Sequence, residues 1–373
     1  MTQPSQRFLP LDVFRGLTVC FMIIVNTGGT GGVYDPLEHA AWHGFTPTDL
    51  VFPSFLFAVG NAMSFTMRKF ANMPQSEVLG KIFKRTAIIF LLGFLMYWFP
   101  FVHHSEEGIV FTKFEYTRVF GVLQRIALCY CFASLLIYYC SKRVVITVSA
   151  VLLLGYWAVL WFFGTPGDQY GIHGNAGLAL DKFLLGDNHL YHGEGFPFDP
   201  EGLLSTFPAI VNVVGGYYTG LFVQKAGKTL PGIGRLVMAG VALIALALLW
   251  NTVFPINKKL WTSSYVFLTV GIDLLILSLL IYIIDILHVT FGTGFFTVFG
   301  KNPLFLYLLS EVLAILLYFF MIGNVNAYTW INEHIFQAIS PGKFGSLLFS
   351  LGYMLLCWLV GFILDKKKIY VRV

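Results

Sequence analysis

Ten apolar runs limit what this chain can fold into more than any other feature does. They fall at residues 13–27, 49–67, 86–102, 119–139, 144–163, 203–223, 233–253, 265–287, 302–322 and 344–364. A bilayer-spanning helix needs roughly 20 mainly apolar residues. Runs 86–102 and 144–163 contain no charged residue, and 233–253 carries only Arg235 near its start. Backbone amides in hydrocarbon must be satisfied within their own segment, so such runs fold as helices. The expected fold is an all-α integral membrane protein, a single polytopic bundle of about ten transmembrane helices covering residues 1–373. A further apolar stretch at 291–300 blurs the start of the ninth span.

Composition agrees. The chain is 57% hydrophobic and 12% charged, about half the charge of a soluble domain, which is roughly 25%. That excludes an ordinary cytosolic enzyme as well as disordered and collagen-like classes. The five cysteines, Cys20, Cys129, Cys131, Cys140 and Cys357, lie in or at the ends of apolar runs and form no C-x-x-C pair or loop framework. The first ten residues are polar and lead into a polytopic pattern, so the first span is expected to act as its own insertion signal.

Fifteen of the 24 Lys and Arg fall in segments that a cytoplasmic N-terminus leaves inside. They run from Arg7 through the cluster Arg68, Lys69, Lys81, Lys84 and Arg85 to Lys366, Lys367, Lys368 and Arg372. Six fall outside, among them Lys113, Arg118, Lys258 and Lys259. The positive-inside rule then puts both termini in the cytoplasm.

Two outside loops are long enough to carry function. Loop 28–48 has no Lys or Arg and holds GGTGG, Asp35, Glu38, His39, Trp42 and His43. Loop 164–202 holds His173, His189, His192, Asp199 and Glu201. His39 and His43 have the i, i+4 spacing of some zinc pairs, but no third ligand stands at a recognisable spacing, so no metal is expected. GGTGG lacks the Lys-Ser/Thr ending of a phosphate loop. It reads as a flexible connector or as backbone passing close to a ligand. Asn26 ends the first span just before it. An amide donor and an imidazole base near one another are what acyl transfer requires, one for the developing oxyanion and one for the nucleophile's proton.

Ionisable residues within or beside spans are costly and are functional candidates by default. They are Asp12, Arg15, Asp49, Arg125, Asp273, Asp285 and Glu311. Structural pairing is the competing explanation, for instance between Asp12 and Arg15 at i, i+3 spacing.

Several stretches are specific. LDVFRGLTVCFMIIVNTGG and EHAAWHGFTPTDLVFPSFLFAVG, then RVFGVLQRIALCY, FDPEGLLSTFPAIVNVVGGYYTG, FPINKKLWTSSYVF, GKNPLFLYLLSEVL and DKKKIYVRV, follow in order along nearly the whole chain. Together they resemble the heparan-α-glucosaminide N-acetyltransferase-like branch of the transmembrane acyltransferases. The resemblance implies an enzyme that carries an acetyl group from cytosolic acetyl-CoA to the amine of an amino sugar across the bilayer. It implies catalytic roles for His39 in HAAW and Asn26 in the VN-x-GG pattern, with Asp49 on a family aspartate. By position, Arg15, Arg125, Lys301, Asn302 and Glu311 are donor-binding candidates. Trp42, Asn257, Lys258, Trp261, Asp199 and Glu201 are acceptor-binding candidates, rings for a sugar face and carboxylates for its hydroxyls and ammonium.

The chain departs from lysosomal members in having about a dozen residues before the first span. It also has Ser310 where, in those members, a histidine is expected. The first departure points to a bacterial-type core enzyme in an inner membrane, and the second leaves no second histidine there. No nucleic-acid partner is expected, and the oligomeric state stays open between monomer and homo-oligomer. The alternative function is a multi-span sugar or amino-sugar transporter without acyl transfer. The topology is checked by single cysteines placed at Asp35 and Asn188. An impermeant thiol reagent is expected to label both from the extracytoplasmic face, and labelling from the cytoplasmic face alone would reverse the orientation.

Overall fold

The computed structural model describes residues 8–106 and 108–371, so Arg7 and Arg372 of the charge pattern lie outside the described residues. The chain is all-α and multi-pass. Its helices are α1 (Leu9–Asn26), α2 (Val51–Phe70), α3 (Gln75–Trp98), α4 (Val122–Tyr139), α5 (Lys142–Phe163), α6 (Ala176–Leu185), α7 (Leu203–Phe222), α8 (Leu230–Trp250), α9 (Ser263–Ile281), α10 (Thr293–Lys301), α11 (Pro303–Phe319), α12 (Ala327–Ile331), α13 (Gln337–Ile339) and α14 (Lys343–Lys366). Two small antiparallel hairpins join them, β1 (Val102–Ser105) with β2 (Gly108–Phe111), and β3 (Met321–Ile322) with β4 (Val325–Asn326).

All ten apolar runs fall on helices, yet they are not equal as spans. Among the described residues eight helices are long and apolar enough to cross a membrane, and α10 with α11 adds a ninth span bent by 82°. The bend has a local cause. Pro303 has no amide hydrogen and restricts the residue before it, and Asn302 sits at φ −130, ψ 49, outside the helical region. The remaining run, 86–102, looked among the surest spans, but α3 begins at Gln75 and includes Lys81, Lys84 and Arg85. Its charge-free part is therefore short of a full crossing.

Small residues let the helices approach closely, as expected where lipid offers no hydrophobic drive for helix association. A Cβ at Gly60 of α2 would lie 1.8 Å from the Val213 carbonyl oxygen of α7, and one at Gly216 of α7 would lie 2.0 Å from that of Phe57. The α1–α10 contact is built alike: Gly16 faces the Phe296 carbonyl and Gly300 that of Asp12. The core formed this way runs through most of the helices.

Buried polar side chains cross this core. Ser54 of α2 donates to Asp273 of α9 at 2.5 Å, and Asn212 of α7 donates to Thr269 of α9 at 3.1 Å. Both α2 and α9 start at the outer loops that carry His39 and Lys258, so their packing fixes where those loops begin.

Gly216→Val is expected to cost more than the roughly 1–3 kcal/mol typical of overpacking, because its new atoms meet backbone that cannot move aside. Gly234→Ala, where nothing lies within 4 Å of the new methyl, should hold or raise stability by up to about 1 kcal/mol. Thermal unfolding in detergent measures both.

Candidate functional site

The outer end of α2 begins with a tight turn, Pro47–Leu50, whose third residue is Asp49. Its carboxylate is 1% exposed and accepts His39 Nδ1 at 2.7 Å through Oδ1. Oδ2 accepts the Thr46 amide at 2.9 Å and the Ala40 amide at 3.2 Å. Asp49 thus both caps the helix and orients the imidazole. A carboxylate can only accept, so Nδ1 carries a hydrogen, and in the neutral ring the lone pair is on Nε2. His39 is the exposed member of the pair, at 42%.

A second loop, between α8 and α9, closes over this pair. Gly44 donates its amide to the Ile256 carbonyl at 2.9 Å, which joins the two loops backbone to backbone. Lys258 Nζ lies 3.0 Å from His39 Nε2 and 3.3 Å from Nδ1. Burial pushes the Lys258 ammonium below its ordinary range, against the pull of Glu201 and Asp49. Asn257 donates from Nδ2 to His43 Nδ1 at 3.2 Å, and its Oδ1 accepts the Leu260 amide. Burial lowers the pKa of His43, which suits the neutral ring that this bond requires. His39 and His43 lie in irregular backbone and face different partners, so they do not form the paired helical face their spacing suggested. Among the described residues no group of three or more His, Cys, Asp or Glu is placed to hold a metal ion.

The third component is loop 164–202. Trp42 Nε1 donates to the Tyr170 carbonyl at 2.8 Å, and its ring meets Phe198 edge-on with centroids 5.5 Å apart. Lys259 bridges the loops, donating to Glu194 at 2.6 Å and to the Ala41 carbonyl at 3.0 Å. Asp199 and Glu201, expected to be free for an acceptor, are taken by Arg118. The guanidinium donates to both Asp199 oxygens at 2.9 and 2.6 Å and to Glu201 at 2.6 Å. Burial opposes the Arg118 charge, but Tyr97 and the two carboxylates outweigh it and keep the guanidinium charged. Burial likewise pushes Glu201 up, and Arg118, Arg125 and Lys258 overcome it and hold the carboxyl below its usual range.

Trp261 was expected to present a ring to a sugar, but it is fully buried. It donates to Asn212 at 3.0 Å and packs edge-on against Phe52 and Tyr265. Its φ of 54° is left-handed, a conformation a non-glycine residue holds only where surrounding contacts impose it. Arg125 lies 4.9 Å above that ring and donates to the Gly202 carbonyl at 3.0 Å and to Ser205. It therefore braces the start of α7.

The remaining candidates sit elsewhere. Asn26, at the outer end of α1, donates to Glu311 of α11 at 3.2 Å. Among the described residues no hydrogen bond joins Asn26 to His39. Glu311 is within electrostatic reach of Tyr97 and Tyr307, and both of these also feel Glu201. The GGTGG run is packed rather than free: a Cβ at Gly29 would lie 2.5 Å from Ser346 Cα, and one at Gly31 2.5 Å from the Gly342 carbonyl oxygen. Its glycines let backbone approach α14, not a ligand. At the inner end Lys301 is paired with Asp365 at 2.6 Å, and Asn302 bonds Ile369 and Val371, holding the C-terminal segment. Arg15 donates to Asp12 at 2.8 Å. Arg15 also lines a cavity of about 80 Å³ with Arg85, Phe55, Tyr130 and Pro303.

Sequence reasoning missed Arg118 and Arg85 as site residues. Arg118 was visible only as an outside charge, since its partners lie some eighty residues away. Arg85 was counted as a topology signal.

Residues 7–168 match the family described as heparan-alpha-glucosaminide N-acetyltransferase, catalytic. The mouse protein named heparan-alpha-glucosaminide N-acetyltransferase is 27% identical over 434 aligned positions, covering 99% of this chain and 61% of the mouse protein. Its human counterpart is 28% identical over 360, covering 82% of this chain and 53% of its own length. The chain thus spans between half and two thirds of the relatives it matches.

Replacing Arg118 with Met leaves two buried carboxylates without their cation, a loss of about 3–5 kcal/mol at pH 7. In that variant the folded-state pKa of each carboxyl rises above the unfolded value, so the folded form binds protons first. Stability is then expected to recover as pH falls from 7 towards 5, more steeply than in the parent, where the Asp181 and Asp199 carboxyls are already raised by burial. Unfolding midpoints across that range test it.

Proposed function

We propose that this chain is a membrane acetyltransferase that moves an acetyl group from acetyl-CoA, taken from the cytoplasm, to the amine of an amino sugar on the opposite side. The premise is a sequence similar to N-acetyltransferases across nearly its whole length. The observation that carries the reading is the Asp49–His39 pair, in which a buried carboxylate fixes Nδ1–H and leaves Nε2 as a base.

In this reading His39 Nε2 takes the proton from the acceptor amine as nitrogen attacks the thioester carbonyl. Lys258 Nζ, over the ring face at 3.0 Å from Nε2 and 3.3 Å from Nδ1, shows that an amine fits beside this imidazole. Asn26 uses one of its two amide hydrogens on Glu311. The other is proposed to meet the thioester oxygen as it gains charge, worth about 3 kcal/mol when well aimed. Asn257 positions the α8–α9 loop through Leu260 and His43.

The donor is proposed to enter beside Arg15 and Arg85, whose cations suit its phosphates. Arg15 and Asn26 stand about 16 Å apart along α1, so the thioester has only half of a roughly 30 Å hydrocarbon layer to cross. The cavity there, about 80 Å³, is small beside the roughly 300–1,000 Å³ of ligand pockets, so donor binding has to part α1, α2 and α11.

His39→Ala is expected to lower acetyl transfer to glucosamine by about 10²–10⁴-fold, the usual weight of a general base, with the fold and acetyl-CoA binding retained. Asp49→Asn should follow in the same direction. Near-parental turnover in His39→Ala would overturn the assignment, and absence of acetyl transfer in the parent protein would return the transporter reading to the front.

A further inference from the structure

The α8–α9 loop contains two adjacent lysines with opposite environments. Lys259 is pinned as an ammonium by Glu194 at 2.6 Å and by the Ala41 carbonyl at 3.0 Å. Lys343, at the mouth of the first loop, is paired with Asp35 at 3.0 Å. Among the described residues Lys258 has no carboxylate within ion-pair distance, and its hydrogen-bonding contacts are the two nitrogens of His39. Being nearly as close to Nδ1 as to Nε2, the amine lies over the face of the ring, within a side-chain swing of the Nε2 lone pair, since Nδ1 is turned to Asp49. Lys258 is half-buried, and the imidazole it touches is open to the surface at 42%.

An amine held against the base of an acyl-transfer site has the geometry of an acceptor. We propose that Lys258 is a self-acetylation site, which takes the acetyl group from the bound thioester when no acceptor sugar is present. The inference rests on the acetyltransferase reading above. Burial disfavours the ammonium form, the direction that attack by the amine requires.

The step balances without further reagents. The lone pair of Lys258 Nζ forms a C–N bond with the thioester carbonyl carbon, and the C–S bond breaks with its electron pair on sulfur. The proton leaving Nζ passes to His39 Nε2 and then to the thiolate. One acetyl thioester and one lysine amine become one free thiol and one acetamide. An amide does not return its acetyl group as a thioester does, so the product is stable. It removes a cation from beside His39 and fills the position that an acceptor amine would take. A protein starved of acceptor would thereby switch itself off.

The test uses the full chain in detergent with isotopically labelled acetyl-CoA, with and without glucosamine, and reads each lysine by peptide mass spectrometry. Label at Lys258 is expected to exceed that at Lys259 and Lys343, to fall when glucosamine is present, and to drop about a hundredfold in His39→Ala, the scale of a lost general base. Thermal unfolding confirms that this variant is folded, and His39→Gln serves as a second one. Label at Lys258 no greater than at Lys259, or unchanged without His39, overturns the proposal. N-acetylglucosamine formed with no label on Lys258 overturns this inference and leaves the proposed function standing. Label on Lys258 without N-acetylglucosamine keeps self-acetylation and removes glucosamine as acceptor. Absence of both products overturns both.

Discussion

The arrangement of the loops around His39 depends on how one buried carboxylate is satisfied. Asp49 touches no cation directly, and a buried carboxylate without hydrogen bonds would not survive as an ion. Its donors are His39 Nδ1–H, the Ala40 and Thr46 amides and the Thr46 hydroxyl. Each bond also fixes a piece of chain: the path from residue 39 to 46, the entry into α2, and the tautomer of the imidazole. The backbone carbonyl of the same residue accepts Tyr265 Oη from α9 at 2.5 Å. Loop 28–48 is thereby held to two membrane helices through one residue.

Around this centre charge closes the loops above a small apolar cluster that includes Ala176, Tyr170 and Phe254. Arg118 gathers Asp199 and Glu201, Lys259 joins Glu194 to the Ala41 carbonyl, and Asp181 accepts the Leu203 amide at the start of α7. Burial pushes the Asp181 carboxyl up to about 7, with the Leu203 amide pulling the other way. Such buried groups contribute little net stability when paired and cost much when a partner is lost. Their value is positional, since they bring residues from loops far apart in sequence to within hydrogen-bond distance of one another.

The membrane part supplies the rigid frame. Close backbone contacts at Gly60, Gly216, Gly16 and Gly300 leave α2–α7 and α1–α10 little freedom to slide, because carbonyl oxygens already occupy the space a side chain would need. At the α10–α11 break the path bends by 82° beside Arg15, and Lys301 and Asn302 tie the junction to the C-terminal segment.

Much of this was legible in the sequence. Apolar runs give membrane helices because hydrocarbon leaves the backbone no other partner, and that holds whatever the neighbours are. His39 and Asn26 could be singled out because an imidazole and an amide beside a long loop without Lys or Arg carry chemistry, and the family resemblance implied their roles and that of Asp49. Two limits were physical. The length of α3 depends on where a helix starts, and a run of apolar residues does not mark that point when Lys81, Lys84 and Arg85 continue the same helix. Whether a polar residue is free or spoken for depends on partners distant in sequence. Trp261 went to the core because Asn212 and Phe52 meet it there, Asp199 and Glu201 went to Arg118, and Lys258 was left facing His39 rather than a carboxylate. The sequence alone determined the solvent each segment prefers and the chemistry each side chain can perform. Tertiary structure decided which side chains are consumed by pairing and which remain available, because pairing is set by distance in space and distance along the chain does not predict it.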